Sequence, residues 1–146
     1  MAYTFHRDYT IETIFMLFGR GNNGKTVYTT LLTSMHGLDN ASNVPLSEML
    51  SDKFALSDLE SKDVNIDNEL AGQTIKESAV IKRLTGGTRQ RIRIQRKNQK
   101  AYDTTLYAKL FFNPNRMPDS QDTSDAYNRR IIIITFPNTF EGKSED

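Results

Sequence analysis

The chain contains no cysteine, which excludes a disulfide framework and any zinc site built on thiolates. With His6 and His36 its only histidines, a histidine metal site is not expected either. No apolar run approaches the ~18 residues of a membrane span, so no membrane partner is expected. The start, Met1 to Asp8, lacks the apolar core of a signal peptide, and a cytoplasmic protein is the expectation. One further absence is local. From Lys82 to Lys100 there is no acidic residue.

What is present is an ordinary globular composition. The chain has 146 residues, 37% of them hydrophobic and 25% charged, which suits one domain with a real core. The net charge is +1. The stretch without acids holds eight basic residues, Lys82, Arg83, Arg89, Arg91, Arg93, Arg96, Lys97 and Lys100, so the rest of the chain is net acidic. A basic block inside a balanced protein points to a local anionic partner.

Hydrophobic spacing predicts alternating strands and helices. Thr13 to Phe18 is a short apolar run of the kind that makes a buried strand. Lys25 to His36 carries Val27, Leu31, Leu32 and Met35 at helical spacing, and Gly37 closes it. Residues 38–45 read as a loop with room for a short strand at Asn43-Val44, then come a helical stretch from Leu46 to Leu59 in one piece or two, a strand from Asp63 to Asp67 and a helix from Thr74 to Leu84. From Thr88 to Lys97 the pattern alternates, with Arg89, Arg91 and Arg93 on one face and Gln90, Ile92 and Ile94 on the other. Asn98 to Lys100 is the expected turn, Tyr102 to Phe112 the return and core strand, 113–128 a polar loop, and Ile131 to Phe136 the last strand. The expected fold class is α/β with a mostly parallel central sheet flanked by helices, and an inserted basic β-hairpin. Residues 1–12 read as a lead-in, 13–140 as the core and 141–146 as a charged tail.

Between the first strand and the first helix stands Gly19-Arg20-Gly21-Asn22-Asn23-Gly24-Lys25-Thr26, followed by Val27. It matches the phosphate loop, or Walker A pattern, in full and in the right strand–turn–helix setting. The glycines free the backbone so that loop amides converge on phosphates, and the helix start adds its positive dipole end. Lys25 reaches the β- and γ-phosphates, and the Thr26 hydroxyl ligates Mg²⁺. The expected ligands are therefore ATP and Mg²⁺.

Hydrolysis needs a carboxylate near the metal. Asp67 and Glu69, at the end of the strand in Val64 to Leu70, are the candidates, because ligands bind at the carboxyl ends of strands in open α/β sheets. Asn65 and Asn68 interrupt the usual pattern. The strand Lys109 to Phe112 runs into Asn113-Pro-Asn115-Arg-Met-Pro118, where an asparagine either bonds the γ-phosphate or serves the turn. Arg129-Arg130 precede the last strand. One of them is an arginine lent to a neighbouring subunit's nucleotide, or both are charged gatekeepers of an apolar strand.

In this order the residues resemble the superfamily 3 helicases, and within them the phage, plasmid and large-DNA-virus primase–helicase family. The resemblance covers about Phe15 to Phe140. It rests on Walker A at Gly19 to Thr26, Asn-Ile-x-x-Glu-Leu at Asn65 to Leu70, and Lys-x-Leu-x-Gly-Gly at Lys82 to Gly87. It rests also on the strand leading to Asn-x-x-Pro at Leu110 to Pro118 and on the aromatic-x-Arg-Arg element at Tyr127 to Pro137. The resemblance implies an AAA+-like P-loop domain that forms a hexameric ring and moves on single-stranded or forked DNA. It implies work beside a primase module or replication proteins, in a host cell's cytoplasm if the element is viral or plasmid-borne. Lys25, Thr26, Glu69 and Asn115 would form one half of the site, with Thr26 and Glu69 toward the metal. Arg130, with Arg129 beside it, would act in trans. The family's usual acid before Glu69 is Asn68 here, which leaves Asp67 and Glu69 both in play. The family's preceding helical region and primase module have no counterpart, so a fragment or a minimal chain is expected.

Read on its own terms, the hairpin of Arg89, Arg91, Arg93, Arg96, Lys97 and Lys100 is a cationic stripe that tracks phosphates without reading sequence, with Tyr102 a candidate for base stacking. The leading expectation is an ATP-dependent DNA helicase motor. The alternatives are a small-molecule kinase on the same loop, and a nucleotide-binding DNA-binding module without turnover.

Overall fold

The apolar runs of the sequence become the strands of one parallel sheet in the computed structural model, which describes residues 1–70, 78–86, 90–114 and 124–140. In chain order the elements are β1 (Ile14–Phe18), α1 (Lys25–His36), β2 (Ala41–Ser42), α2 (Leu46–Ser51), β3 (Val64–Leu70), α3 (Ser78–Leu84), β4 (Ile92–Ile94), β5 (Tyr102–Thr104), β6 (Lys109–Pro114), α4 (Asp125–Asn128) and β7 (Ile131–Thr135). The sheet order is β2-β3-β6-β1-β7, and every pairing in it is parallel. The fold is α/β and P-loop NTPase-like. Strands β4 and β5 form a separate antiparallel hairpin.

Both faces of the sheet's centre are covered, which is why β1 and β6 are nearly continuous apolar runs. Leu17, Val64, Ile66 and Phe111 meet Leu32 of α1 on one face. Ile14, Met16, Leu110 and Phe112 pack on the other face with residues of α2, α3, α4 and the hairpin. Ile92 and Ile94 point into that core while Arg93 between them is exposed, so the hairpin is anchored by its apolar side.

Two local expectations shift and one alternative is decided. The short strand forms at Ala41–Ser42 rather than Asn43-Val44. The helical stretch 46–59 forms as two pieces, because the Asp52 carboxylate accepts the Phe54 N–H at 2.8 Å and turns the chain between α2 and a 3-10 helix at Ala55–Leu59. Within the expected loop 113–128, α4 forms a single turn. The helix α1 has the expected bounds but not the expected buried face. Of its apolar set only Leu32 is buried, while Val27, Leu31 and Met35 are 72%, 50% and 42% exposed.

Residues 1–12 pack on the end of the sheet away from the phosphate loop. Tyr9 is buried, Thr4 is hydrogen-bonded to His36 at 2.7 Å, and Arg7 pairs with Asp63 at 3.1 Å. Lys109, fully buried, donates to the carbonyls of His6 and Tyr107 at 2.6 and 2.8 Å. It also bonds the Asp8 carbonyl and lies over the rings of Tyr3 and Tyr9. Among the described residues, no helix is long and apolar enough to cross a membrane.

Candidate nucleotide site and basic hairpin

Because β6 lies between β1 and β3, three carboxyl strand ends lie side by side: that of β1 with the phosphate loop, that of β3 with its acid and that of β6 with its asparagine. Crevices at carboxyl strand ends are where such sheets bind ligands.

The loop geometry explains two of its glycines. A Cβ on Gly19 would stand 2.3 Å from the Asn23 amide and 2.5 Å from the Phe136 carbonyl oxygen. Gly24 caps α1 at φ 87°, a left-handed conformation that favours glycine. Gly21 has open space around it, so packing makes no demand for glycine there. Asn22 is also left-handed, at φ 56°. Arg20 is exposed.

Asn23 organises the loop. Its amide donates to the Phe136 carbonyl at 3.3 Å, and its carbonyl oxygen accepts the Lys25 ammonium at 3.1 Å. Lys25 folds back on its own loop, donating to the Gly19 carbonyl at 2.6 Å and the Arg20 carbonyl at 3.1 Å. Desolvation lowers its pKa below the usual lysine value. This ammonium is held at the loop on carbonyls that phosphate oxygens can replace.

Thr26 is exposed and lines a groove of about 400 Å³ with Thr30, Thr33, Ile66 and Asn68. Strand alternation explains who faces whom. Ile66 and Asn68 stand on the α1 face. Asn65 and Asp67 point to the opposite face, where the Asn65 carbonyl oxygen accepts the Val44 N–H at 2.8 Å and an Asp67 oxygen accepts the Leu46 N–H at 3.1 Å. Asp67 is 4% exposed. As second candidate for the metal it is corrected: its carboxylate holds the start of α2 on the far side of the sheet from Thr26. Asn68, absent from the motif, lines the same groove as Thr26, and period-two alternation from Ile66 is the signal that finds it. The backbone of Glu69 lies at the end of β3, and its side chain lies outside the described residues.

Asn115 also lies outside them. Asn113, two residues earlier, is 8% exposed at the end of β6, and its side-chain oxygen is buried without a hydrogen-bond partner. An unsatisfied acceptor of this kind calls for a donor, and it stands between the ends of β1 and β3.

The two arginines before β7 differ sharply. Arg130 is 8% exposed. Its guanidinium donates to the Thr85 hydroxyl and the Glu12 carboxylate, each at 3.1 Å, and to the Ala126 carbonyl. That corrects the preference for Arg130 as the arginine lent to a neighbour, since these buried bonds commit it to its own subunit. Arg129 is exposed.

The hairpin is less uniformly positive than its sequence. Arg91 donates to the Asp103 carbonyl at 2.9 Å, and Arg93 lies 3.8 Å from the Asp103 carboxylate. Arg96 pairs with Glu60 at 2.7 Å, and the Tyr102 hydroxyl donates to the same carboxylate at 2.5 Å. These bonds, the Tyr102 hydroxyl first, hold Glu60 below the usual carboxylate pKa. Tyr102 thereby ties the hairpin to the body instead of presenting its ring for stacking. Among the described residues, Lys97 and Lys100 at the tip are exposed and carry no ion pair. Arg89 lies outside the described residues.

Comparison with known proteins places this arrangement. A family of unknown function, DUF5906, matches residues 17–130, and the chain belongs to it. No curated protein matches. Among solved structures, the C-terminal region of NrS-1 is similar at a TM-score of 0.67 and 20% identity, over 92% of this chain and 31% of that one. JCV helicase, bound to a small molecule, is similar at 0.58 and 17% identity, over 86% of this chain and 36% of that one. At these identities the likeness is one of fold, and the fold is helicase-like. The chain spans about a third of the length of these structures.

Proposed function

We propose that this member of DUF5906 is the ATP-hydrolysing motor core of a superfamily 3-type DNA helicase, acting on single-stranded or forked DNA during replication of a virus or mobile element. One observation carries the reading. A full Walker A loop joins a central parallel strand to a helix, and β6 separates that strand from β3, so the loop lies beside the carboxyl ends of β6 and β3.

The residues fit the ligands. Loop amides and the Lys25 ammonium suit a triphosphate. The Thr26 hydroxyl and the Asn68 amide oxygen are hard donors of the kind Mg²⁺ accepts alongside water and phosphate oxygens. Bound there, Mg²⁺ would neutralise charge on the phosphates. Glu69 orients the attacking water, Asn115 or Asn113 senses the γ-phosphate, and Arg129 reaches a neighbour's nucleotide in a ring, six subunits by analogy with the resemblance. Lys97, Lys100 and Arg93 contact the DNA backbone. A primase module or other replication proteins would complete the machine in the cytoplasm.

The test is phosphate release from ATP with Mg²⁺, with and without single-stranded DNA. Stimulation by DNA, and its loss in Lys25→Ala by about a hundredfold or more, is the expected result. Stimulation by a nucleoside or sugar instead would favour a kinase. A second reading has its own observation. Asp67 is bonded to α2 and the neutral Asn68 shares the groove of Thr26, as suits a module that binds nucleotide without turnover. Tight ATP binding with no phosphate release in any condition would select it.

A further inference from the structure

The exposed apolar side of α1 does not end at bare solvent. It forms one wall of a groove of about 990 Å³ that begins at Asn22 and Gly24 and runs past Val27, Tyr28 and Leu31. The opposite wall is the segment after β7, with Phe136, Pro137 and Phe140. That segment is pinned at three points, one to the end of β1 and two to the phosphate loop. Phe136 N–H donates to the Phe18 carbonyl at 2.7 Å, Asn23 bonds the Phe136 carbonyl, and Phe140 N–H donates to the Asn22 carbonyl at 2.6 Å. Tyr28 meets Phe136 edge to face, with ring centroids 5.9 Å apart.

We infer that this groove seats the nucleobase and ribose of the triphosphate, and that it holds the base by apolar contact and ring stacking, accepting purines and pyrimidines alike. The inference rests on the phosphate-loop reading above and extends it to the other end of the ligand.

Three observations select this occupant. The groove opens directly from the loop, so a ligand with phosphates on the loop amides must project its remainder along it or into solvent. From Gly24 to Leu31 the helix advances about 10 Å at its ordinary rise, the reach of a ribose and a base. The walls are mostly carbon, with no acidic or basic side chain among the lining residues. Such a surface gains from covering a flat ring and reads little of its edge. Stacking on aromatics tolerates any base because every base has a π-face, and an apolar pocket rejects a similar-sized competitor weakly. The side-chain amides of Asn22 and Asn138 also line the groove, and two exposed amides on a mostly apolar wall do not set a base code.

The test compares ATP, GTP, CTP and UTP with inorganic tripolyphosphate, each with Mg²⁺, by calorimetry on the whole chain. The four nucleotides are expected within about fivefold of one another and each about tenfold or more tighter than tripolyphosphate, the scale of one base stacked on an aromatic. Leu31→Arg, which fills the groove from an exposed position, and Phe140→Ala, which removes a wall, should bring ATP to the level of tripolyphosphate without weakening tripolyphosphate itself. Unchanged ATP affinity in both variants would overturn the inference, and so would a hundredfold preference for one base. Loss of a dimer in Leu31→Arg with ATP affinity intact would assign the groove to a second copy and overturn it as well. Failure of the wild-type chain to bind either ATP or tripolyphosphate would remove the phosphate-loop reading, and the groove with it.

Discussion

The carboxylate of Asp67 accepts the backbone N–H of Leu46 at 3.1 Å, tying the acid-bearing strand to the first turn of α2 on the sheet face away from α1. Asp67 therefore has structural work, and in the proposed function the catalytic part falls to Glu69. Replacing Asp67 with Ala leaves a buried N–H unsatisfied, which costs about 1–3 kcal/mol. The urea midpoint should fall while ATP affinity per folded molecule stays within about twofold. Glu69→Gln should keep nucleotide binding and lose phosphate release by about a hundredfold or more. Loss of turnover in Asp67→Ala at unchanged stability would hand the catalytic role back to Asp67.

Arg129 and Arg130 separate in the same way. Arg130→Ala removes the partner of Thr85, Glu12 and the Ala126 carbonyl. The expected loss is about 2 kcal/mol, below the value for a fully buried pair because the Glu12 side chain is 41% exposed and solvent screens it. Arg129→Ala should leave stability within about 0.5 kcal/mol and abolish turnover. When Arg129→Ala subunits are titrated with Lys25→Ala subunits, turnover should return, because mixed neighbours rebuild intact sites. No recovery at any ratio would refute a site shared between subunits.

The hairpin tip gives a salt-dependent prediction. Lys97 and Lys100 are solvated cations, whereas Arg96 already has Glu60 as partner. Each phosphate contact adds about 0.7 to the slope of log affinity against log salt for single strands. Lys97→Ala and Lys100→Ala should each lower that slope by about that amount, measured by fluorescence anisotropy on a labelled oligonucleotide at several salt concentrations. Arg96→Ala should act chiefly by loosening the hairpin from the body, seen as faster amide exchange at Ile92 and Ile94. Unchanged slopes in both lysine variants would remove the tip from the DNA path.

What could be read from the sequence was local. Gly19 to Thr26 carries its loop in a single motif, Gly37 stops α1 by its left-handed backbone at φ 81°, and period two puts Ile92 and Ile94 inward with Arg93 outward. What could not be read depends on partners distant in the chain. Leu31 fits the helical pattern of a core residue, yet packing of Thr29, Leu32 and His36 sets the phase of α1 and turns Leu31 toward the groove. Arg130 and Arg129 are indistinguishable in sequence, and Glu12, 118 residues away, decides which one is buried. Phe136 reaches Asn23 across 113 residues, so no local pattern predicts that the segment after β7 walls the groove along α1.

Lys109 supplies a prediction in pH. Burial pushes its ammonium down from 10.5 to about 8, against the pull of Asp8 and Asp63 in the other direction. At pH values between about 8 and 10.5, the unfolded chain therefore holds more proton at this site than the folded one. Stability rises with pH wherever the unfolded state binds more protons. The contribution of Lys109 should thus improve as pH climbs through that window and be lost again as pH falls toward 8. The limit is about 3 kcal/mol at 1.36 kcal/mol per pKa unit. The neighbouring groups do not reverse the sign. Thr10 bonds hold the Asp8 carboxyl below its ordinary value, and burial raises the phenols of Tyr3 and Tyr9 above theirs. In Lys109→Met the three carbonyls of His6, Asp8 and Tyr107 lose their donor at every pH, a constant offset. The difference in urea midpoint between wild type and Lys109→Met should therefore shift toward the wild type from pH 7.5 to 10. A difference that stays flat or moves the other way would show that the carbonyl cage, and not desolvation, governs this ammonium.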